Sequence, residues 1–245
     1  MYNVIEDVMQ RYFNNQKNSN EFLMNEDDSH HIIKVMRMKL GDIIEVICNE
    51  KLYHCEIIDT SNLVIARIIN ELNDYNELSK KITICQSLVN EQKMDYILQK
   101  ATELGVYEII PYKARNSVVK ENNKSDKKIV RWQKIVKEAS EQSKRNIIPK
   151  VEQMVDLDEL IKKDYDLKLL CSVNHLTKNV KKVLQETKKY DTIIIVIGPE
   201  GGFSQKEEEV LTNNGYIPVS LGKRVLRTET ASLVALSYIN YELMR

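Results

Sequence analysis

Thr192-Ile-Ile-Ile-Val-Ile197 runs without a break into Gly198-Pro199-Glu200-Gly201-Gly202-Phe203-Ser204. A threonine followed by five aliphatic, mostly β-branched residues reads as a strand buried on both faces. Ser204 and Glu207 form an S-x-x-E capping box, so a helix begins directly after the loop. The glycine loop therefore sits at the carboxyl end of a parallel strand, where open α/β sheets bind ligands. Its spacing is neither G-x-G-x-x-G nor G-x-x-x-x-G-K-[ST], which disfavours a dinucleotide fingerprint and a Walker phosphate loop. Alone, it is equally a tight turn that needs positive φ.

A second strand-to-helix loop follows: Leu221-Gly-Lys-Arg-Val-Leu-Arg-Thr-Glu-Thr-Ala231. Arg224, Arg227 and Glu229 lie beside threonines able to cap the last helix. Such a loop suits polar ligand groups, and suits equally a solvated connection with a surface ion pair. Four of the chain's seven glycines fall in these two segments.

Upstream, strands and helices alternate. We read strands at 82–89, 106–112, 167–173, 192–197 and 217–221, and helices at 93–104, 125–143, 177–189, 204–213 and 228–243. That order defines a parallel α/β sheet. The first 72 residues differ. A helix at 27–38, with Ile32, Ile33 and Met36 near helical spacing, precedes three close-set runs at 42–48, 51–59 and 62–69, separated by Asn-Glu and Thr-Ser-Asn turns. These suggest a small antiparallel β-barrel, followed by a polar linker over 70–81. The expected domains are 1–72 and 73–245.

The chain of 245 residues carries 36 basic and 36 acidic side chains. A disordered charged tail or a fibrous chain is excluded. The balance hides an asymmetry. Residues 1–72 hold 7 basic and 12 acidic side chains, net −5, whereas 113–150 hold 12 and 4, net +8. The second segment is where a polyanion is worth considering. Cys48, Cys55, Cys85 and Cys171 form no C-x-x-C pair, and the four histidines show no metal-ligand spacing, so no metal is expected. The cysteines read as buried reduced thiols, and His30, His31 and His54 as surface or packing residues. With no basic-apolar leader and no long apolar run, we expect a cytoplasmic protein without membrane attachment.

Together the two glycine-bearing segments, GPEGGFS and LGxRxLRTETA, resemble the signature of the SPOUT superfamily of RNA methyltransferases, more specifically the RsmE family. Further matching segments are Lys100-Ala-Thr-Glu-Leu-Gly-Val106 with Ile110-Pro111, Arg131-Trp132 with Glu138-Ala139 and Gln142, Arg145 with Pro149, and His31, Val35, Arg37, Gly41 and Asp42. The resemblance runs from about Gln10 to the C-terminus. Met1–Val8 has no counterpart in it, and Met38 and Val225 replace more usual aliphatics.

The resemblance implies an α/β fold: a C-terminal SPOUT domain with a trefoil knot, and an N-terminal PUA-like barrel. It implies S-adenosylmethionine as cofactor and methylation of a uridine N3 in small-subunit (16S) ribosomal RNA. Three loops, 172–175, 198–202 and 221–227, would form the knot. The implied cofactor contacts are Leu170, Ser172, Gly198, Pro199, Glu200, Gly201, Gly202, Leu221, Gly222, Val225 and Leu226. Leu170, Leu221, Val225 and Leu226 would wall the base. Arg227 is the candidate stabiliser of a developing oxyanion, and Glu229 the candidate proton acceptor or orienter of that arginine. Arg37, Arg115, Lys120, Lys128, Arg131 and Arg145 would contact RNA. A homodimer and the small ribosomal subunit are the implied partners. The rivals are a SPOUT enzyme acting on transfer RNA or another ribosomal position, and a non-catalytic RNA-binding assembly factor.

Overall fold

The computed structural model describes residues 9–117, 125–173, 177–187 and 189–243. Two compact units emerge. One comprises the chain up to Glu77 together with Ser140–Ile147; the other comprises Leu78–Ala139 and the chain from Ile148 onward.

The first unit is a six-stranded, mostly antiparallel sheet. Its strands are β1 (Arg11–Phe13), β2 (Lys17–Asn18), β3 (Glu21–Leu23), β4 (Ile43–Cys48), β5 (Lys51–Asp59) and β6 (Ile65–Leu72), in the order β1-β4-β5-β6-β3-β2. The three expected runs correspond to β4, β5 and β6. The short strands β1, β2 and β3 escaped the sequence reading because two or three residues carry no periodicity. The expected helix 27–38 is corrected. Only Glu26–His30 (α1) is α-helical, capped by Asn25, and His31–Val35 widens into a π-turn. Tyr12, Phe22, Met24, Ile32, Ile44, Val46, Tyr53 and Ile57 fill the core. His31 is a packing residue, its Nδ1 2.9 Å from the Tyr12 hydroxyl.

Residues 140–147 join this unit through charge. Arg11, 1% exposed, donates from Nε to Glu45 at 2.8 Å and from Nη1 to the carbonyls of Lys144 and Arg145. Lys144 meets the same Glu45 oxygen at 2.9 Å. Burial pushes the Glu45 carboxyl up, but Arg11 and Lys144 outweigh it and hold it below the usual range. Arg145, 3% exposed, pairs with Glu77 at 2.5 Å. The other Glu77 oxygen accepts the N–H groups of Asn146 and Ile147. Part of the expected polar linker is thus a fixed structural element.

The second unit carries seven parallel strands: β7 (Lys81–Ser87), β8 (Glu108–Tyr112), β9 (Lys150–Val151), β10 (Leu167–Cys171), β11 (Lys178–Asn179), β12 (Thr192–Ile197) and β13 (Ile217–Ser220), in the order β11-β13-β10-β12-β7-β8-β9. Its helices are α2 (Glu91–Glu103), α3 (Ser125–Gln142, whose last turn belongs to the first unit), α4 (Leu157–Leu160), α5 (Val180–Glu186), α6 (Gln205–Asn213) and α7 (Thr228–Leu243). The period-2 alternation of each strand feeds two cores. Ile82, Ile84, Ile193, Ile195, Leu167 and Leu169 face one side, with α2, α3, α5 and α7. Cys85, Ile110, Leu170, Ile194 and Val196 face the other, with α4 and α6. The expected helix 177–189 shortens to α5, its first residues being spent on β11 beside β13.

Because β13, β10, β12, β7 and β8 are adjacent and parallel, their carboxyl ends open along one edge. Cys171 pairs with Ile197 and Val219, Ile197 with Gln86, and Ser87 with Tyr112. Both glycine-bearing loops emerge there. All four cysteines are free, and burial holds the Cys55 and Cys171 thiols up at about 12. No helix among the described residues is long and apolar enough to cross a membrane.

Replacing Glu77 with Gln removes the carboxylate charge that the buried Arg145 guanidinium contacts. We expect a loss of about 3 kcal/mol in the first unit, read as a lower urea midpoint; an unchanged midpoint would show that water reaches Arg145 and solvates it.

Candidate active site

The site is organised around Gly198. Its carbonyl accepts the Thr228 hydroxyl at 2.6 Å. Thr228 Oγ1 also receives the Gln86 amide at 3.1 Å, and Gln86 Oε1 receives the Ser232 hydroxyl at 2.5 Å. Ser87 Oγ donates to the Ile197 carbonyl at 2.7 Å. Gln86, Ser87, Thr228 and Ser232 are all buried. This chain fixes the first loop to the start of α7 from inside the sheet edge. Gln86 was missed from sequence, since an amide at the end of an apolar strand gives no signal until α7 packs against it.

Glu207 does more than cap α6. Its carboxylate accepts the Ser204 N–H at 2.8 Å, the Ser204 hydroxyl at 2.7 Å, the Tyr112 phenol at 2.8 Å and the Arg115 N–H at 2.9 Å. Burial raises its carboxyl, but these donors outweigh burial and hold it below the usual range. Burial and the Glu207 carboxylate in turn push the Tyr112 phenol up. Asn116 donates to the Gly202 carbonyl at 3.1 Å. The segment after β8 is thereby stitched to the glycine loop.

The glycines have separate reasons. Gly202 (φ +66°) and Gly222 (φ +135°) hold left-handed geometry, and an added Cβ at either would meet nothing within 4 Å. An added Cβ on Gly201 would lie 3.2 Å from Asn116, and one on Gly198 3.1 Å from the Phe203 ring. The first pair leaves open main chain that a ligand can approach; the second pair lets the loop close on its own neighbours.

Lys93, in the first turn of α2, spans two carboxylates. Its ammonium lies 2.8 Å from Glu200 and 3.5 Å from Glu229. The hydrogen bond to Glu200 raises the Lys93 ammonium. Burial raises the Glu200 carboxyl, but Lys93 reverses the shift and lowers it. Lys93 was also missed, because its partners are 107 and 136 residues away.

The expected site residues are distributed as follows. Pro199 is buried, Glu200 and Gly201 are exposed, and Leu221 and Leu226 are half-buried. Val225 is 84% exposed, so it is available to a ligand but walls nothing by itself. Leu170 has no exposed surface and belongs to the α4/α6 core, which leaves it no face for a bound base. The Ser172 hydroxyl donates to Glu208 at 2.7 Å, and its N–H donates to Val219. Arg227 is exposed, without a side-chain partner among the described residues. Glu229 is half-buried, and its Oε2 has no hydrogen-bond partner.

Of the expected RNA contacts, Arg37 is exposed and holds a left-handed backbone (φ +57°), and Arg115 is exposed. Lys128 is half-buried. Arg131 already binds Glu91 at 2.8 Å and Asp95 more closely still. Arg145 is buried against Glu77 and has no free face for a phosphate. Lys120 lies outside the described residues.

The chain thus holds a parallel α/β unit with glycine loops at its strand ends and a separate curled β unit. Comparison with known proteins gives the class. Residues 76–240 match an RNA methyltransferase domain, and residues 25–69 match an RNA methyltransferase PUA domain. The ribosomal RNA small subunit methyltransferase E of Bacillus subtilis is 37% identical, over 96% of this chain and 97% of its own. The Neisseria gonorrhoeae protein of that name, solved bound to S-adenosyl methionine, superposes with a TM-score of 0.86 at 30% identity, over 96% and 98% of the two chains. A Legionella pneumophila methyltransferase in complex with SAM gives 0.88 at 30% identity, with the same coverage. The chain belongs to the ribosomal RNA small subunit methyltransferase E (RsmE) family.

Glu207 contributes stability fully above the unfolded carboxyl value of about 4.3, and that contribution is lost as pH falls through its lower folded value. The stability gap between wild type and Glu207→Gln should therefore narrow between about pH 5 and pH 3, measured by urea unfolding. A gap that stays constant would mean that the four donors do not depend on the carboxylate charge.

Proposed function

We propose that this protein transfers a methyl group from S-adenosylmethionine to the N3 nitrogen of a uridine in small-subunit (16S) ribosomal RNA. The observation that carries the reading is the juxtaposition of the two glycine-bearing loops at one sheet edge, tied by Thr228 to the Gly198 carbonyl. The RsmE-family relatives support the substrate, and the two SAM-bound neighbours support the cofactor.

The residues present suit that cofactor. Open main chain at Gly202 and Gly222 can pass close to an adenosine, and backbone N–H and C=O groups can read an adenine edge. Leu221, Val225 and Leu226 supply apolar contact. When bound, S-adenosylmethionine offers an electrophilic methyl carbon on a sulfonium. We propose that the loops 198–202 and 221–227 belong to a trefoil knot, which would hold them together without a hydrophobic plug; the third expected loop, 172–175, lies partly outside the described residues.

Two demands fall on the chain itself. The uracil ring nitrogen must lose its proton to become a nucleophile; Glu229, whose Oε2 makes no hydrogen bond and lies 3.5 Å from the Lys93 ammonium, accepts it or orients Arg227. The resulting anion spreads charge onto the flanking carbonyl oxygens, and Arg227 donates to one of them, a contribution of about 3 kcal/mol. Holding base and cofactor in line adds the rest, since positioning alone can contribute roughly 7–11 kcal/mol.

Arg37, Arg115 and Lys128 are the phosphate contacts we retain, the first from a domain whose net charge is negative but whose 34–39 segment holds Lys34, Arg37 and Lys39. Arg131 can join only by releasing Asp95 and Glu91. The target base must be unpaired or extruded. We propose a homodimer, with the exposed Tyr238 and Tyr241 of α7 at its interface, working in the cytoplasm on RNA or the small subunit.

Incubation with labelled S-adenosylmethionine and either naked small-subunit RNA or isolated subunits, followed by mapping of the methyl group, tests the reading. A label on uridine N3 is expected; a label on transfer RNA, or none despite cofactor binding, favours the rivals. Arg227→Ala should lower kcat about 100-fold with cofactor affinity within about threefold of wild type. Near-normal turnover removes Arg227 from the chemistry.

A further inference from the structure

Glu229 presents an anomaly. Its Oε2 is shielded from solvent yet has no hydrogen-bond partner. Native proteins satisfy nearly all such atoms; Asp95, Ser117, Trp132 and Asn240 each carry another among the described residues, so what sets Glu229 apart is the ammonium beside it. The Lys93 ammonium at 3.5 Å supplies charge, but at that separation no well-formed hydrogen bond. Lys93 spends its short contact, 2.8 Å, on Glu200 in the opposite loop.

We infer that Lys93 is a positioning residue: anchored on Glu200, it fixes the two glycine-bearing loops against α2 and holds the Glu229 carboxylate in the place where a donor on the substrate meets it. This rests on the methyl-transfer reading above, in which that donor is the uracil imide.

Three observations support the assignment. First, the Lys93, Glu200 and Glu229 side chains are 26%, 33% and 16% exposed. Ion pairs that open to water contribute little to folding, so the triad is not explained as a staple of the core. Second, the buried chain through Gln86, Thr228 and Gly198 already secures the loops from inside. Lys93 acts on their outer side, where the side chains of Glu200 and Glu229 would otherwise repel each other and swing into solvent. Third, Lys93 starts from a fixed base. Asn90 caps α2 by accepting the Lys93 N–H at 3.0 Å, so the lysine backbone is held at the helix start. One rigid helix end therefore sets the distance to both loops.

A lysine suits this task because its ammonium carries three donors on a compact head and can serve two carboxylates at once. Arginine keeps the charge and the double reach. Methionine keeps the length and packing but leaves two carboxylates facing each other.

The test compares the full-length Lys93→Met and Lys93→Arg variants. In the unliganded protein, amide exchange over 198–203 and 227–232 should lose protection about tenfold in Lys93→Met and return to within about threefold of wild type in Lys93→Arg. For methyl transfer to small-subunit RNA, Lys93→Met should lower kcat at least about tenfold with the RNA KM within about threefold, and Arg should restore most of it. Unchanged exchange and kcat in Lys93→Met would overturn the assignment, as would equal impairment of both variants. Should Lys93→Met fold poorly, Glu200→Gln removes the anchor from the other side and is read by the same two measurements. If wild type transfers no methyl group, the exchange result still decides the clamp, and only the methyl-transfer reading falls.

Discussion

The Gly198 carbonyl is the acceptor on which the rest of the site depends. It lies at the end of a strand buried on both faces, where a main-chain oxygen has left the sheet ladder and still needs a donor. The Thr228 hydroxyl meets it, and Gln86 and Ser232 complete the relay. A buried polar chain of this kind is costly when half satisfied and rigid when complete. Here it is complete, and the outcome is a glycine loop and a helix start held in one register. Everything proposed for Arg227 and Glu229 presupposes that register.

Charge acts around this neutral centre in two ways. On one side, Glu207 gathers four donors from three residues and makes the helix cap a junction between β8, the loop and α6. On the other, Lys93 faces Glu200 and Glu229 across the opening. The first is buried and structural. The second is partly wet, which is the condition for a network that a substrate can enter.

The first unit solves a different problem with the same means. A short β1 strand and a returning segment, 140–147, have few apolar residues with which to hold each other. Arg11 and Arg145 take their place, each buried against a carboxylate, and Arg11 also donates to the main chain of Lys144 and Arg145. Planar guanidinium groups with several donors are suited to such sites. Arg145 is thereby withdrawn from the set of phosphate ligands, although its position in a strongly basic segment had suggested that use.

The alternation of strands and helices, the buried β12, the capping box at Ser204 and the pairing of GPEGGFS with LGxRxLRTETA were all legible in the chain itself. Local periodicity and capping chemistry act within a few residues, so they leave a mark in sequence. The same holds for β4, β5 and β6 in the first unit, though not for β1, β2, β3 or the π-turn, which are too short to carry a period. Gln86, Lys93, the second role of Glu207 and the burial of Arg145 have no such mark. Each is defined by a partner that folding brings from a distant part of the chain, and a residue's partners at that range follow from strand order, not from its neighbours. The sequence thus determined which segments fold and where the loops fall; only the tertiary structure decided which polar side chains meet there and which of them stay free to act.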